Sequence, residues 1–171
     1  MSNNTSRLVI DRKRELMEKV VMFFLQGLPE TIGVVALSLA VERVPLKWKY
    51  IVPISLVLSF FIFVIRSLPV SLGIHTVAAI LLLAFFMVKF TRVPSTKCFI
   101  AIFISISFLT ALEFIFHEPI FWFLDLSLNQ ILSNDTIWML VGLPQATVMI
   151  ISALFVARIR KPDFDAWRIR F

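Results

Sequence analysis

The sequence predicts an all-α integral membrane protein. Five transmembrane helices follow an N-terminal amphipathic helix, and an interfacial segment separates helices four and five. Three observations predict this. Hydrophobic residues make up 59% of the 171-residue chain. The mean hydropathy is +0.91, and a soluble domain of this size could not hide that much apolar surface. The apolar residues also gather into five runs without a polar face, whereas a soluble helix keeps one.

Residues 6–25 read as an amphipathic helix entering the first span. Val9, Leu16, Val20 and Phe24 recur at helical spacing, and Arg12, Arg14, Glu15, Glu18 and Lys19 crowd the other side. Ser6 is a candidate cap. Such a helix either lies among anionic headgroups or continues span one as a solvated extension. The domain reading is an amphipathic segment at 1–19, a five-helix membrane domain at 20–160 and a basic cytoplasmic tail at 161–171.

The runs cover roughly Val20 to Val41, Tyr50 to Ile65, Ile74 to Phe90, Cys98 to Phe116 and Ile137 to Ile159. A bilayer core of about 30 Å needs about 20 helical residues, so runs two and three are a little short. Pro29 in span one and Pro144 in span five are the expected hinges, because proline removes a backbone hydrogen bond and kinks a helix. Each lies in a similar string, Gly27-Leu28-Pro29-Glu30-Thr31 and Gly142-Leu143-Pro144-Gln145-Ala146-Thr147. Paired broken helices of this kind surround midplane sites in transporters, and common helix-kink chemistry gives the same echo.

Proline and basic residues end spans one and three at Arg43-Val44-Pro45 and Arg92-Val93-Pro94. Trp48 and Tyr50 mark one interface, and Trp122 and Trp138 the other. His117 to Asp135 is the longest segment between spans and is too apolar for free solution, so a short interfacial helix is expected there.

Charge sets the orientation. Arg43, Lys47, Lys49, Lys89, Arg92, Lys97, Arg158, Arg160, Lys161, Arg168 and Arg170 fall on one side of a five-span arrangement, and only Arg66 falls in the opposite loops. Lys and Arg collect in cytoplasmic loops, which predicts a cytoplasmic C-terminus and explains the net charge of +6 without nucleic acid. The basic N-terminal segment would then lie outside, against that rule.

Four glycines are too few for a phosphate-cradling nucleotide fold, and one cysteine allows neither a disulfide nor a multi-cysteine metal site. Cys98 reads as a small buried helix residue. The start does not resemble a cleaved signal peptide.

Ionisable groups inside a bilayer are costly and therefore informative. Glu30, Arg66, His75, Glu113 and His117 stand out. Glu113 and His117 share a helix face, and with Arg66 and His75 they meet near the outer leaflet. Glu30 lies deeper, and Gln145 is its counterpart in span five. A polar ligand pocket, a proton sensor, a metal site of His75, Glu113 and His117, and a structural Arg66–Glu113 pair with interfacial histidines all fit this pattern. No cofactor is indicated. Cys98 lies about 20 Å or more from either histidine by helical rise, no paired aspartates occur within spans, and no enzyme is predicted.

The strings Arg66-Ser67-Leu68-Pro69 and Gly73-Ile74-His75-Thr76 resemble the N-terminal membrane domain of Firmicutes sensor histidine kinases. These are the Spo0B-like or accessory-gene-regulator-like kinases with a GHKL-type catalytic half. Pro29-Glu30, Leu46-Lys47-Trp48-Lys49 and Gly142-Leu143-Pro144 resemble it too, so the likeness runs from about Leu28 to Arg160. It implies a signal-sensing domain of a bacterial cytoplasmic membrane, responding to a small molecule or peptide, with weight on Glu30, Arg66 and His75. The family's phospho-acceptor histidine and nucleotide-binding box do not follow span five, which implies a truncated relative or one acting through a partner. The expected function is therefore a membrane input domain that relays through helices one and five to a partner signalling protein or a second copy. A small transporter, or a transporter's binding component, using Glu30 and Gln145 is the alternative. A structural subunit of a membrane complex is the second.

Overall fold

The computed structural model describes residues 2–68, 73–124 and 135–168, with side-chain surroundings for 12–14, 17, 18, 20–68, 73–116 and 142–168. Its elements are helices α1 (Ser2–Val41), α2 (Trp48–Arg66), α3 (Ile74–Phe90), α4 (Ser95–Leu124) and α5 (Asp135–Ile159), then a 3₁₀ turn at Phe164–Ala166. Among the described residues the protein is all-helical, apart from one bridge between Thr91 and Trp167.

Four segments are long and apolar enough to cross a membrane: Val20–Val41, Trp48–Arg66, Ser95–Phe116 and Gly142–Ile159. They fit a multi-pass protein in a lipid bilayer. Ile74–Phe90 is equally apolar but has only 17 residues. Lipid offers no hydrogen-bond partners, so a spanning backbone must satisfy itself, and helices do.

The amphipathic segment and span one are a single unbroken helix of 40 residues, about 60 Å long at 1.5 Å per residue. Arg12, Lys13, Arg14 and Glu18 are exposed along it. The segment from His117 also differs from expectation. Residues 117–124 continue α4 without a break, while 125–134 lie outside the described residues.

α1 is the central helix, packed on α2, α4 and α5, while α3 packs on α2 and α4. Val35 to Ala40 are all buried, so this stretch is covered on every side. The outer helices each leave an apolar stripe uncovered. In α2 it is Val52, Leu56, Phe60 and Val64, and in α3 it is Ile74, Val77, Leu81 and Phe85. Stripes at three- and four-residue spacing that remain apolar and exposed are what lipid tails would cover.

α1 and α5 run parallel in constant register. A Cβ on Gly33 would meet the Met149 Cβ at 2.6 Å, and a Cβ on Gly142 would meet the side chain of Gln26. From Gln26 to Gly33, and from Gly142 to Met149, each helix advances the same two turns. Small residues at such contacts let backbones approach closely. Between α1 and α4 the Ser38 hydroxyl lies 3.0 Å from Ser105 Oγ, whose proton goes to the Ala101 carbonyl at 2.9 Å.

The chain after α5 is a strap across the ends of three helices. Arg160 Nη1 donates to the Val41 carbonyl at 2.6 Å, and Asp163 N to the Arg43 carbonyl at 2.8 Å. Arg92 N donates to the Ala166 carbonyl, and Arg168 N to the Phe90 carbonyl. Trp167 is buried, packs on Tyr50 with ring centroids 5.0 Å apart and planes tilted by 37°, and donates from Nε1 to the Pro45 carbonyl at 2.9 Å. The carboxyl ends of α1, α3 and α5 therefore meet at one end of the bundle. The basic residues of both short turns and of the tail through Arg168 gather there. The tail through Arg168 is packed rather than free, and Phe164 is its exposed aromatic.

Candidate functional site

Toward the end away from the strap, α1 to α5 line an open cavity of about 680 Å³. α1 contributes Gln26, Glu30 and Thr31, α2 contributes Arg66, and α3 contributes His75 and Thr76. α4 contributes Thr110 and Glu113, and α5 contributes Gln145. Leu58, Ile62, Ile80, Leu83, Ile106 and Leu109 form the apolar walls.

Five of the six sequence-selected residues thus line one cavity: Glu30, Arg66, His75, Glu113 and Gln145. The side chain of His117 lies outside the described residues. The pattern of apolar runs separated a deep pair, Glu30 and Gln145, from an outer group. The cavity joins them, because it runs inward from the ends of α2 and α3 to mid-length in α1.

The helices hold these groups by local bonds. In α1 the Thr31 hydroxyl donates to the Gly27 carbonyl at 2.6 Å and accepts from Ser59 of α2 at 3.0 Å. In α5 the Thr147 hydroxyl donates to the Leu143 carbonyl at 2.9 Å. Each bond returns to the carbonyl four residues earlier, within a Gly-Leu-Pro string. The two strings lie side by side, since Gln26 touches Gly142. Glu30 and Gln145 follow their prolines at equivalent places, so they stand at the same level of the bundle.

Gln145 is 2% exposed, and its Oε1 accepts no hydrogen bond. A buried amide oxygen left without a donor costs about 1–3 kcal/mol. Arg66 ends α2 with its guanidinium carbon 6.0 Å from the centre of the Phe23 ring, which itself lies 5.1 Å from the Phe63 ring. Sequence reading did not select Phe23, Phe63 or Gln26. Their one signal was position, one or two turns before Glu30 or a turn before Arg66, and helical runs this apolar conceal it.

Among the described residues, no group of three His, Cys, Asp or Glu side chains could hold a metal ion. Cys98 is fully buried, its Sγ 3.7 Å from the Val93 carbonyl, near the strap end of α4. His75 lines the cavity at the other end. The arrangement can hold a small molecule of mixed character, with an apolar body and a charged or hydrogen-bonding head. The chain matches no protein-family profile, no curated protein and no solved structure.

Proposed function

We propose that this chain is a membrane ligand-sensing domain. A small molecule enters the cavity, and the response passes along α1 and α5 to the strap. The observation that carries this reading is the convergence of Glu30, Arg66, His75, Glu113 and Gln145, from five helices, on one cavity. Polar groups are expensive in hydrocarbon, and five around a single space are better explained by a ligand than by separate structural tasks.

The relay has a physical basis. α1 and α5 are parallel, tightly packed and tied to the strap by Arg160 and Asp163. A shift of either helix at Pro29 or Pro144 would pull on those bonds. The resemblance to the membrane domain of sensor histidine kinases supports the same role, with a partner signalling protein or a second copy receiving the output. In this reading α3 is a fifth crossing, the strap end faces the cytoplasm of a bacterial cell, and the chain performs no chemistry.

Two measurements test it. Wild type, Glu30→Gln and Gln145→Leu are purified gently, and retained small molecules are identified by mass spectrometry. A molecule held by wild type and lost from both variants is the expected result, and identical inventories would sink the reading. Hydrogen exchange at Asp163 and Arg168 then tests the relay. Exchange should change when the cavity is filled, and unchanged exchange at saturation removes the relay.

A second reading is a small transporter. It is favoured by the two Gly-Leu-Pro strings lying together at mid-span, where Glu30 and Gln145 stand at one level of the bundle. Uptake of the retained molecule into proteoliposomes separates the two, because a sensor should move nothing.

A further inference from the structure

We infer that exposed cations at the strap end of four helices form a binding ring for anionic phospholipids. Each takes a phosphate headgroup at a Lys or Arg, and the acyl chain lies along the apolar stripe beside it. The inference is independent of the cavity and of what it holds.

It rests on how each lipid-facing stripe ends. Lys49 of α2, Lys89 of α3, Lys97 of α4 and Arg158 of α5 are all exposed, and each lies within a turn of the helix end nearest the strap. Each also stands three or four residues from an exposed apolar residue of its own helix: Val52, Phe85, Ile100 and Leu154 respectively. That spacing places the two on one helix face. The Lys89 Nζ stands 5.4 Å from the centre of the Phe85 ring. Long basic side chains lay their stems on apolar surface in this way and carry the charge to the polar boundary. Trp48, 41% exposed beside Lys49, is the kind of ring that sits at headgroup level.

The protein's own charges do not account for the ring. A cation is favoured at a helix carboxyl end, which covers Lys89 and Arg158. Lys49 and Lys97 stand in the first turns of α2 and α4, where the helix dipole opposes them. Carboxylates are also too few. The two short turns, the helix ends beside them and the tail through Arg168 hold ten Lys and Arg residues against Glu42, Asp163 and Asp165. Even with all three acids paired, seven cations remain. An acidic protein would meet the flat end of the bundle, whereas these four side chains stand on the perimeter beside the apolar stripes. Lipid phosphate is therefore the occupant.

The test places the full chain in nanodiscs of phosphatidylglycerol and phosphatidylcholine, in equal amounts and with matched acyl chains. Lipids retained by the released protein are counted by native mass spectrometry. Wild type should retain phosphatidylglycerol about five-fold over phosphatidylcholine, the preference that one cation at an anionic lipid surface gives. Lys49→Gln, Lys89→Gln, Lys97→Gln and Arg158→Gln together should remove most of that preference. The single variants Lys49→Gln and Lys97→Gln, which change exposed side chains only, should each lower it and keep the test open where the combined variant folds poorly. Arg12→Gln, Lys13→Gln and Arg14→Gln together take charge from the exposed start of α1 and should leave most of the preference. Equal retention of the two lipids by wild type overturns the inference, and so does an equal loss in the α1 control. Displacement of the retained lipid by polyglutamate would give the face to an acidic protein instead.

Discussion

Gly33 of α1 and Met149 of α5 lie so close that a Cβ on the glycine would stand 2.6 Å from the Met149 Cβ. The collision involves atoms next to each backbone, so no side-chain rotation relieves it. This contact sets the separation of the two helices that carry Glu30 and Gln145. Gly33→Ala should therefore destabilise the bundle by about 1–3 kcal/mol, the usual cost of overpacking. Gly27→Ala is the control, because its Cβ would meet only the Phe23 ring at 3.8 Å. That change should be neutral or stabilising by up to about 1 kcal/mol through helix propensity. Thermal unfolding of both variants in one detergent checks the pair, and equal midpoints would refute it.

The turn after α1 gives a second prediction. Arg43 has φ of +58°, with Val44 N bonded to the Leu39 carbonyl at 2.9 Å and Arg43 N to the Ala40 carbonyl at 3.1 Å. This is a Schellman termination with a side chain at the position that favours glycine. Arg43→Gly should stabilise by about 1 kcal/mol, since a left-handed residue with a Cβ is strained by about that amount. Arg43→Val should destabilise by more than Arg43→Ala, because β-branching worsens the crowding. A midpoint order of Gly, Arg, Val from highest to lowest is the expected reading.

Much of this architecture was legible in the sequence, for a physical reason. Apolar runs of this length have few alternatives in lipid, so their helices could be placed from hydropathy alone. The prolines and arginines of Arg43-Val44-Pro45 and Arg92-Val93-Pro94 placed the turns. The cavity was half legible. Arg66, His75 and Glu113 were grouped because connected helices share an end. Glu30 and Gln145 were set apart because no periodicity reports how deep a cavity runs. The strap was not legible. Trp167 belongs to a short polar tail, and only the bundle end it covers gives it a partner. The continuity of α1 was one of two open readings, since a change from polar to apolar residues along a helix does not report whether the backbone breaks.

The strap itself gives a third prediction. Trp167→Phe keeps an aromatic ring near Tyr50 but removes the N–H given to the Pro45 carbonyl. It should loosen the tail by about 1 kcal/mol, the net worth of one such bond. Trp167→Ala removes a buried side chain as well, which costs about 3–5 kcal/mol in a packed site. Limited proteolysis between α5 and the tail should be slow in wild type, faster in Trp167→Phe and fastest in Trp167→Ala. Identical rates in all three would mean that the strap is not held by this residue.

The pair of hydroxyls between α1 and α4 gives the last. Ser38 and Ser105 are both fully buried, with their Oγ atoms 3.0 Å apart. Each also reaches a carbonyl of its own helix, Ser38 to Val34 at 2.8 Å and Ser105 to Ala101 at 2.9 Å. Loss of one hydroxyl therefore strands no polar atom, since the survivor still bonds to its backbone. The single variants Ser38→Ala and Ser105→Ala should each cost no more than about 1 kcal/mol, and the coupling between them should be about 0.6 kcal/mol, typical of hydrogen bonds between membrane helices. Unfolding of the wild type, both singles and the double variant measures that coupling directly. A value near zero would mean that α1 and α4 are held by packing around Ala36 and Ile102 alone. A value well above 1 kcal/mol would mean that the hydroxyl pair orders the two helices on which Glu30 and Glu113 stand, and cavity binding should then weaken in the double variant.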